Sequence, residues 1–336
     1  MTIPEDAAGA VRERYARFAR DEAPGRSELY RAWAQGVATD GSVQQLLARI
    51  PPERRQPPLV FAVTRLLGAP ETDYPSWASW LAQHADAVVT ECGRRSVQTN
   101  EPLRCAALLP ALALVPGPIA LLEVGASAGL CLYPDRYSYR YRRPDGEVIA
   151  LDPPDGPSAV TLESDLRGEA VPPLRLPEVV WRAGIDLAPL DPALPDTEAW
   201  LTGLVWPGET GRAERVRQAL RIAASDPPLL VAGDGAALIA EVARQAPADA
   251  TLVVTTPGVL AFVPWAGRRA MIDAARAAGR WITLDAPTLH DGWTQPVDPQ
   301  TWPGGFALAL DGEVLAAVDP LGSYVEWRAE DAARPR

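Results

Sequence analysis

The chain has 336 residues, 47% of them hydrophobic, a net charge of -11 and no lysine, all 32 basic side chains being arginine. That length supports a large core in two domains or one decorated one. Without lysine there is no internal aldimine for pyridoxal-phosphate catalysis and no P-loop or kinase lysine, and the acidic balance argues against a nucleic-acid partner.

No apolar run is long enough to span a bilayer, and no basic region followed by a hydrophobic one opens the chain. The expectation is a soluble, cytoplasmic protein. Cys92, Cys105 and Cys131 lack metal-site spacing and His84 and His290 lie far apart, so a zinc site is not expected, although Asp and Glu could hold magnesium, and the cysteines read as free thiols.

Residues 1–117 read as a helical N-terminal cap domain. Ala7–Arg20, Ser27–Ala38, Ser42–Ile50, Pro58–Leu67 and Ser76–Glu91 carry helix-spaced apolar positions, with Ser27 and Ser42 as N-caps. His84 falls in line with Trp77, Trp80 and Leu81, as a packed residue would. A further helix covers Leu103–Val115, capped by Thr99 or Asn100, and this explains Gln98 less well than its neighbours. Pro116-Gly117-Pro118 marks the boundary to a second domain over 118–336.

That domain opens on the stretch that organises the chain. Ile119–Val124 is a short apolar run holding Glu123, a buried strand by composition. Gly125-Ala126-Ser127-Ala128-Gly129 follows, almost without side chains, so a ligand or another backbone can come close. A helix is expected next, its free N–H groups favouring an electron-rich group. Two chemistries use such a turn: cofactor binding in a methyltransferase-like sheet, and the nucleophile elbow of an α/β-hydrolase, since Gly125-x-Ser127-x-Gly129 matches G-x-S-x-G.

An insertion over about 131–178 comes next. Tyr137, Tyr139 and Tyr141 alternate with Ser138 and Arg140 as in a strand, Pro144-Asp145-Gly146 turns, and Glu147–Leu151 returns. With Tyr133, Asp135 and Arg136 this hairpin is either a pocket wall or a piece of packed sheet. Asp152–Pro177 reads as loop.

Strands are then expected within Val179–Pro189 and Leu229–Asp234, each ending in an acid, and at Thr251–Thr255 and Trp281–Leu284. Helices are expected at Glu198–Leu204, Arg212–Ala223, Ala236–Arg244 and Arg268–Ala278. Phe306–Leu310 and Val314–Val318 flank Asp311-Gly312, a hairpin signature. The alternation implies an α/β fold, a Rossmann-like, mostly parallel sheet ending in an antiparallel hairpin.

Ligands of such sheets sit outside the strands' carboxyl ends. Those ends carry the Gly turn, Asp186, Gly233-Asp234 and Thr255–Gly258. A carboxylate at Asp186 suits a ribose diol, and one at Asp234 an adenine edge or amino group. Glu123 inside its strand needs a partner, either a ligand ammonium or an arginine.

The acid-x-Gly-x-x-x-Gly pattern, then Gly184-Ile185-Asp186-Leu187-Ala188-Pro189, then Gly233-Asp234 resembles class I S-adenosylmethionine-dependent methyltransferases. Ser127 stands where their middle glycine falls, and Asp186 lies beyond the ~20 residues usual for a Rossmann acid. More closely, the chain resembles the DUF2332 family of uncharacterised bacterial proteins. The resemblance lies in Val97-Gln98-Thr99-Asn100-Glu101, the stretch 123–130, Asp135-Arg136-Tyr137, the block 182–187 with Pro189-Leu190, Trp200-Leu201 and Val205-Trp206-Pro207. Members usually carry Asn where Cys131 stands and His-Gly where Leu321-Gly322 stands.

The methyltransferase resemblance implies S-adenosylmethionine held by Glu123, Gly125, Ser127, Gly129, Asp186 and Asp234. Asp135, Tyr137, Tyr139 and Gln98 would stand on the side of a small-molecule acceptor. The alternatives are a serine hydrolase using Ser127 with Asp285 and His290, in the order Ser…Asp…His, and a non-catalytic nucleotide-binding module.

Overall fold

The computed structural model describes residues 7–329. Its helices are α1 (Ala7–Asp21), α2 (Glu28–Thr39), α3 (Gly41–Leu47), α4 (Pro57–Leu66), α5 (Tyr74–Gln83), α6 (Ala85–Arg94), α7 (Arg104–Leu112), α8 (Pro195–Gly203), α9 (Arg212–Ser225), α10 (Gly235–Ala243) and α11 (Trp265–Ala278). Its strands are β1 (Ile119–Val124), β2 (Ser138–Arg142), β3 (Val148–Leu151), β4 (Thr161–Arg167), β5 (Val179–Asp186), β6 (Leu229–Ala232), β7 (Thr251–Pro257), β8 (Arg280–Asp285), β9 (Phe306–Leu310), β10 (Glu313–Val318) and β11 (Tyr324–Trp327).

These elements form two compact units. One takes the described chain up to Thr99 together with Leu194–Arg217, the other Asn100–Ala193 with the chain from Gln218. The division at Thr99/Asn100 differs from the one expected at Gly117, because α7 packs against the strands of the second unit.

The first unit is helical and built on aromatic contacts. The Phe61 ring stands between 4.9 and 6.2 Å from the rings of Tyr15, Phe18, Tyr30, Trp33 and Trp77. Ser27 caps α2 by accepting Tyr30 N–H, whereas α3 is capped by Asp40 and not by Ser42. His84 breaks the single helix expected over Ser76–Glu91 into α5 and α6, and its ring stacks on Trp80 at 4.1 Å.

The second unit is mixed α/β around one sheet of eleven strands, in the order β3-β2-β4-β11-β10-β9-β8-β7-β1-β5-β6. β6, β5, β1, β7 and β8 run parallel, and β9 and β10 close that block antiparallel, as the Asp311-Gly312 turn signalled. On one face of the block Leu122, Val124, Ile185, Val254 and Trp281 pack against Ile239 of α10 and Met271, Ile272 and Ala275 of α11.

Two strands escape the sequence reading. β4 lies in the stretch taken as loop, and β11 follows the hairpin. β11 pairs with β4 in parallel and so ties the tyrosine insertion to the end of the sheet. Its inward positions in β4 are Leu162, Ser164 and Leu166, and the serine interrupts the apolar alternation.

α7 packs on this sheet and touches β4, β8 and β9. From Cys105 to Leu112 every residue of α7 is buried, as expected of a helix without a polar face. Tyr141 of β2 donates to Ala106 O of α7 at 2.7 Å. Tyr137 and Tyr139 are fully buried as well and donate to Leu130 O and Pro134 O at 2.7 and 2.6 Å. The tyrosine strand is therefore core, packed on α7, and not the wall of an open pocket.

Asp135 shares that structural role. Arg182 Nη1 and Nη2 donate to its two oxygens at 2.9 and 2.7 Å, and Nη1 also donates to Leu132 O. Removing one partner of such a pair strands the other charge. Asp135→Ala should lower stability by about 3–5 kcal/mol in urea denaturation. An unchanged midpoint would return Asp135 to the acceptor-side role inferred from sequence.

Candidate functional site

The carboxyl ends of β1, β5 and β7 meet where the strand order reverses, β1 leading to β5 on one side and β7 on the other. Open α/β sheets leave a crevice at such a point. The Gly turn lies here, but a three-residue 3-10 turn over Leu130–Leu132 follows it instead of the expected helix. No α-helix N-terminus therefore faces the turn from its own sequence.

The turn is shaped by the protein's own packing. Gly125 has φ +79, and a Cβ there would lie 2.6 Å from Val259 Cγ2. Gly129 has φ +73, and a Cβ there would approach Leu132 and Pro228 at 3.1 Å. Ser127 takes a left-handed φ of 53°, uncommon for a residue with a side chain.

Two polar residues hold that conformation. Asn100 Nδ2 donates to Ser127 Oγ at 2.6 Å, and its Oδ1 accepts Ala128 N–H at 3.2 Å. Asn100 is thus a clamp on the Gly turn and not the cap of α7, where Glu101 Oε1 accepts Leu103 N–H. Asp186, half-buried at the end of β5, accepts Ser127 N–H at 2.9 Å and Ala188 N–H at 2.8 Å. Each carboxylate oxygen of Asp186 keeps further acceptor capacity. Leu187, beside it, is 81% exposed.

Glu123 is a buried acid that the protein satisfies only in part. It is 3% exposed, and its Oε2 has no hydrogen-bond donor. Burial raises its carboxyl well above the usual range, the neighbouring Cys131 adds to this, and the Arg104 charge opposes it. Arg104 stands at the start of α7, its Nη1 on Pro257 O at the end of β7 and its Nε on Pro320 O, each at 3.1 Å. Arg104 and Asn100, both brought in by the segment leading into α7, carried no site signal of their own in the sequence.

The remaining expected residues separate. Asp234 is exposed and caps α10, accepting Ala237 N–H at 3.1 Å. Gln98 is half-buried and belongs to the first unit. Asp285 and His290 are buried at the end of β8. His290 Nδ1 accepts Gly292 N–H at 3.1 Å, and Nε2 faces Asp285 Oδ2 at 3.5 Å. These contacts do not include Ser127, whose Oγ accepts from Asn100 Nδ2.

An open hollow of about 440 Å³ lies instead by the β2–β3 turn and the end of β4, lined by Arg142, Arg143, Asp165 and Arg167. Arg142 is paired with Asp165 of β4, and Arg143 with Asp145 and Glu147 of the β2–β3 turn. Among the described residues, no group of three or more His, Cys, Asp or Glu is placed to hold a metal ion, and no helix is long and apolar enough to cross a membrane.

The family model for DUF2332, described as an uncharacterized protein conserved in bacteria, matches residues 12–327. The chain belongs to this family. The match takes in both units, so the helical unit and the eleven-stranded sheet fall within one family match. No curated protein and no solved structure matches the chain.

Glu123 offers a direct check on this site. Its raised carboxyl keeps a proton in the folded chain that the unfolded chain has already released. That linkage favours the fold at low pH, and the benefit is lost as pH rises above the ordinary Glu range. Glu123→Gln cannot ionise. Its stability relative to the parent should therefore rise between pH 4.5 and 8, by up to about 1.4 kcal/mol for each pH unit over which Glu123 stays protonated. Urea titrations at the two pH values measure this. A constant difference would contradict a buried, protonated Glu123.

Proposed function

We propose that the second unit is a Rossmann-like, class I methyltransferase-like domain that binds S-adenosylmethionine at the carboxyl ends of β1, β5 and β6 and methylates a small molecule in the cytoplasm. The observation that carries this reading is the orphaned Glu123 Oε2 at the end of β1. An unpaired acceptor at that depth costs about 1–3 kcal/mol, and a ligand ammonium would both satisfy it and favour its ionised form.

The strand order supports the same reading. Taking only the parallel block, the third, second, first, fourth and fifth strands stand side by side, the doubly wound arrangement of nucleotide-binding sheets. Glu123 would hold the amino group of the cofactor, Asp186 the ribose hydroxyls, and exposed Leu187 an apolar face for the base. Ser127 would line the turn through its backbone, while Asp234, just past β6, is exposed and engaged as the cap of α10. Gly125 and Gly129 serve by letting the turn fold tightly. The cofactor supplies an activated methyl group. The chain's task is to orient it, keep its charge paired and exclude water.

Ser127 keeps a second reading open, because its φ of 53° is the kind of strained turn on which a nucleophilic serine is presented. That reading lacks a histidine on Ser127 Oγ, which Asn100 occupies.

Calorimetric titration with S-adenosylmethionine and S-adenosylhomocysteine tests the proposal. Micromolar binding is expected, at least tenfold weaker in Asp186→Ala, with the melting temperature of the variant used to confirm folding. Absence of binding to either compound would overturn it. Labelling of Ser127 by a fluorophosphonate would then favour the hydrolase, and binding without turnover of any acceptor would favour a nucleotide-binding module.

A further inference from the structure

The candidate site contains two thiols that the proposed methyl transfer does not use. Cys105 is the second residue of α7 and Cys131 lies in the 3-10 turn after the Gly turn, 26 positions on. Cys105 Sγ donates to Cys131 O at 3.6 Å, and Cys131 Sγ donates to Glu101 O at 3.6 Å. Each thiol thus lies against the segment that carries the other. Both cysteines are free, Cys105 fully buried and Cys131 9% exposed.

We infer that Cys105 and Cys131 form a redox pair, which a hydroperoxide converts to a reversible disulfide between the start of α7 and the turn after β1. Their surroundings divide the roles. A hydrogen bond from the Cys105 thiol holds Cys131 below the usual thiol range, with the Arg104 charge adding to this, while burial raises Cys105. The start of a helix also favours negative charge nearby. Cys131 is therefore the attacking sulfur and Cys105 the resolving one. Cys92, in the first unit, is likewise pushed up by burial, to about 12.

The chemistry balances with the peroxide as oxidant. The Cys131 thiolate attacks one peroxide oxygen and the O–O bond breaks. Cys131 becomes a sulfenic acid, and the other oxygen leaves as water or an alcohol after taking up a proton. Cys105 sulfur then displaces the sulfenic oxygen as water, its own proton going with it, and the S–S bond forms. Two sulfurs are oxidised by one electron pair in total and the peroxide bond is reduced. A dithiol reverses the change. The disulfide closes a loop containing β1 and the Gly turn, and so fastens the Glu123 strand to α7. The inference does not depend on the cofactor reading.

The test uses the reduced, full-length protein and hydrogen peroxide at one to two equivalents, followed by denaturation, alkylation with iodoacetamide and mass spectrometry. The expected result is alkylation at Cys92 alone, a cross-linked peptide pair joining Cys105 to Cys131, and recovery of all three alkylation sites after dithiothreitol. Cys92→Ser should keep the cross-link and Cys131→Ser should lose it, with circular dichroism confirming that both variants fold. Oxidation confined to Cys92, or conversion of Cys131 to sulfinic acid without a cross-link, would overturn the pairing.

Discussion

Helix α7 has no face to give to water, and the second unit is arranged to hide it. Its residues from Cys105 onward are buried on every side. A parallel α/β block of five strands covers a helix from one side only. Here the sheet is extended through β9, β10 and β11 to β4 and β2, and α7 touches β4 as well as β8 and β9. The buried tyrosines of the insertion donate their hydroxyls to backbone carbonyls, one of them on α7 itself, so apolar bulk is buried without leaving a polar atom unpaired.

This enclosure sets the chemistry at the open end. The segment entering α7 has to cross the carboxyl ends of β1 and β7, and it brings Asn100, Glu101, Arg104 and Cys105 with it. Asn100 fixes the Gly turn from one side while Asp186 fixes it from the other. Arg104 ties the helix start to the end of β7. With the turn held in this way, Glu123 is left with an oxygen that no protein donor reaches. A cationic ligand, as proposed above, would pair that oxygen.

Much of the parallel block was legible in the chain. β1, β5, β6, β7 and β8 follow apolar runs that end in Gly, Asp or Pro, and Asp311-Gly312 announced the hairpin. What local pattern could not convey was long-range pairing. β4 alternates Leu162, Ser164 and Leu166 on its inward face among Pro-rich and acidic neighbours, which reads as loop until β11 supplies its partner. The same holds for the site. Glu123, Ser127 and Asp186 stood out because they sit at strand ends. Asn100 and Arg104 did not, since an asparagine before a helix reads as a cap and an arginine in its first turn reads as surface. The expected helix after Gly129 failed because Leu130-Cys131-Leu132 is buried on all sides and runs into Pro134, which stops it after one turn.

The claim on which the rest depends is that Glu123 waits for a cationic ligand. Carbon-13 NMR of the protein labelled at the glutamate carboxyl carbon, with Glu123→Gln to identify the resonance, reads its ionisation directly. At neutral pH the free protein should show Glu123 protonated, and saturating S-adenosylmethionine should move its resonance to the position of an ionised carboxylate. A carboxyl that is already ionised in the free protein, or one that stays protonated with the cofactor bound, would contradict the account.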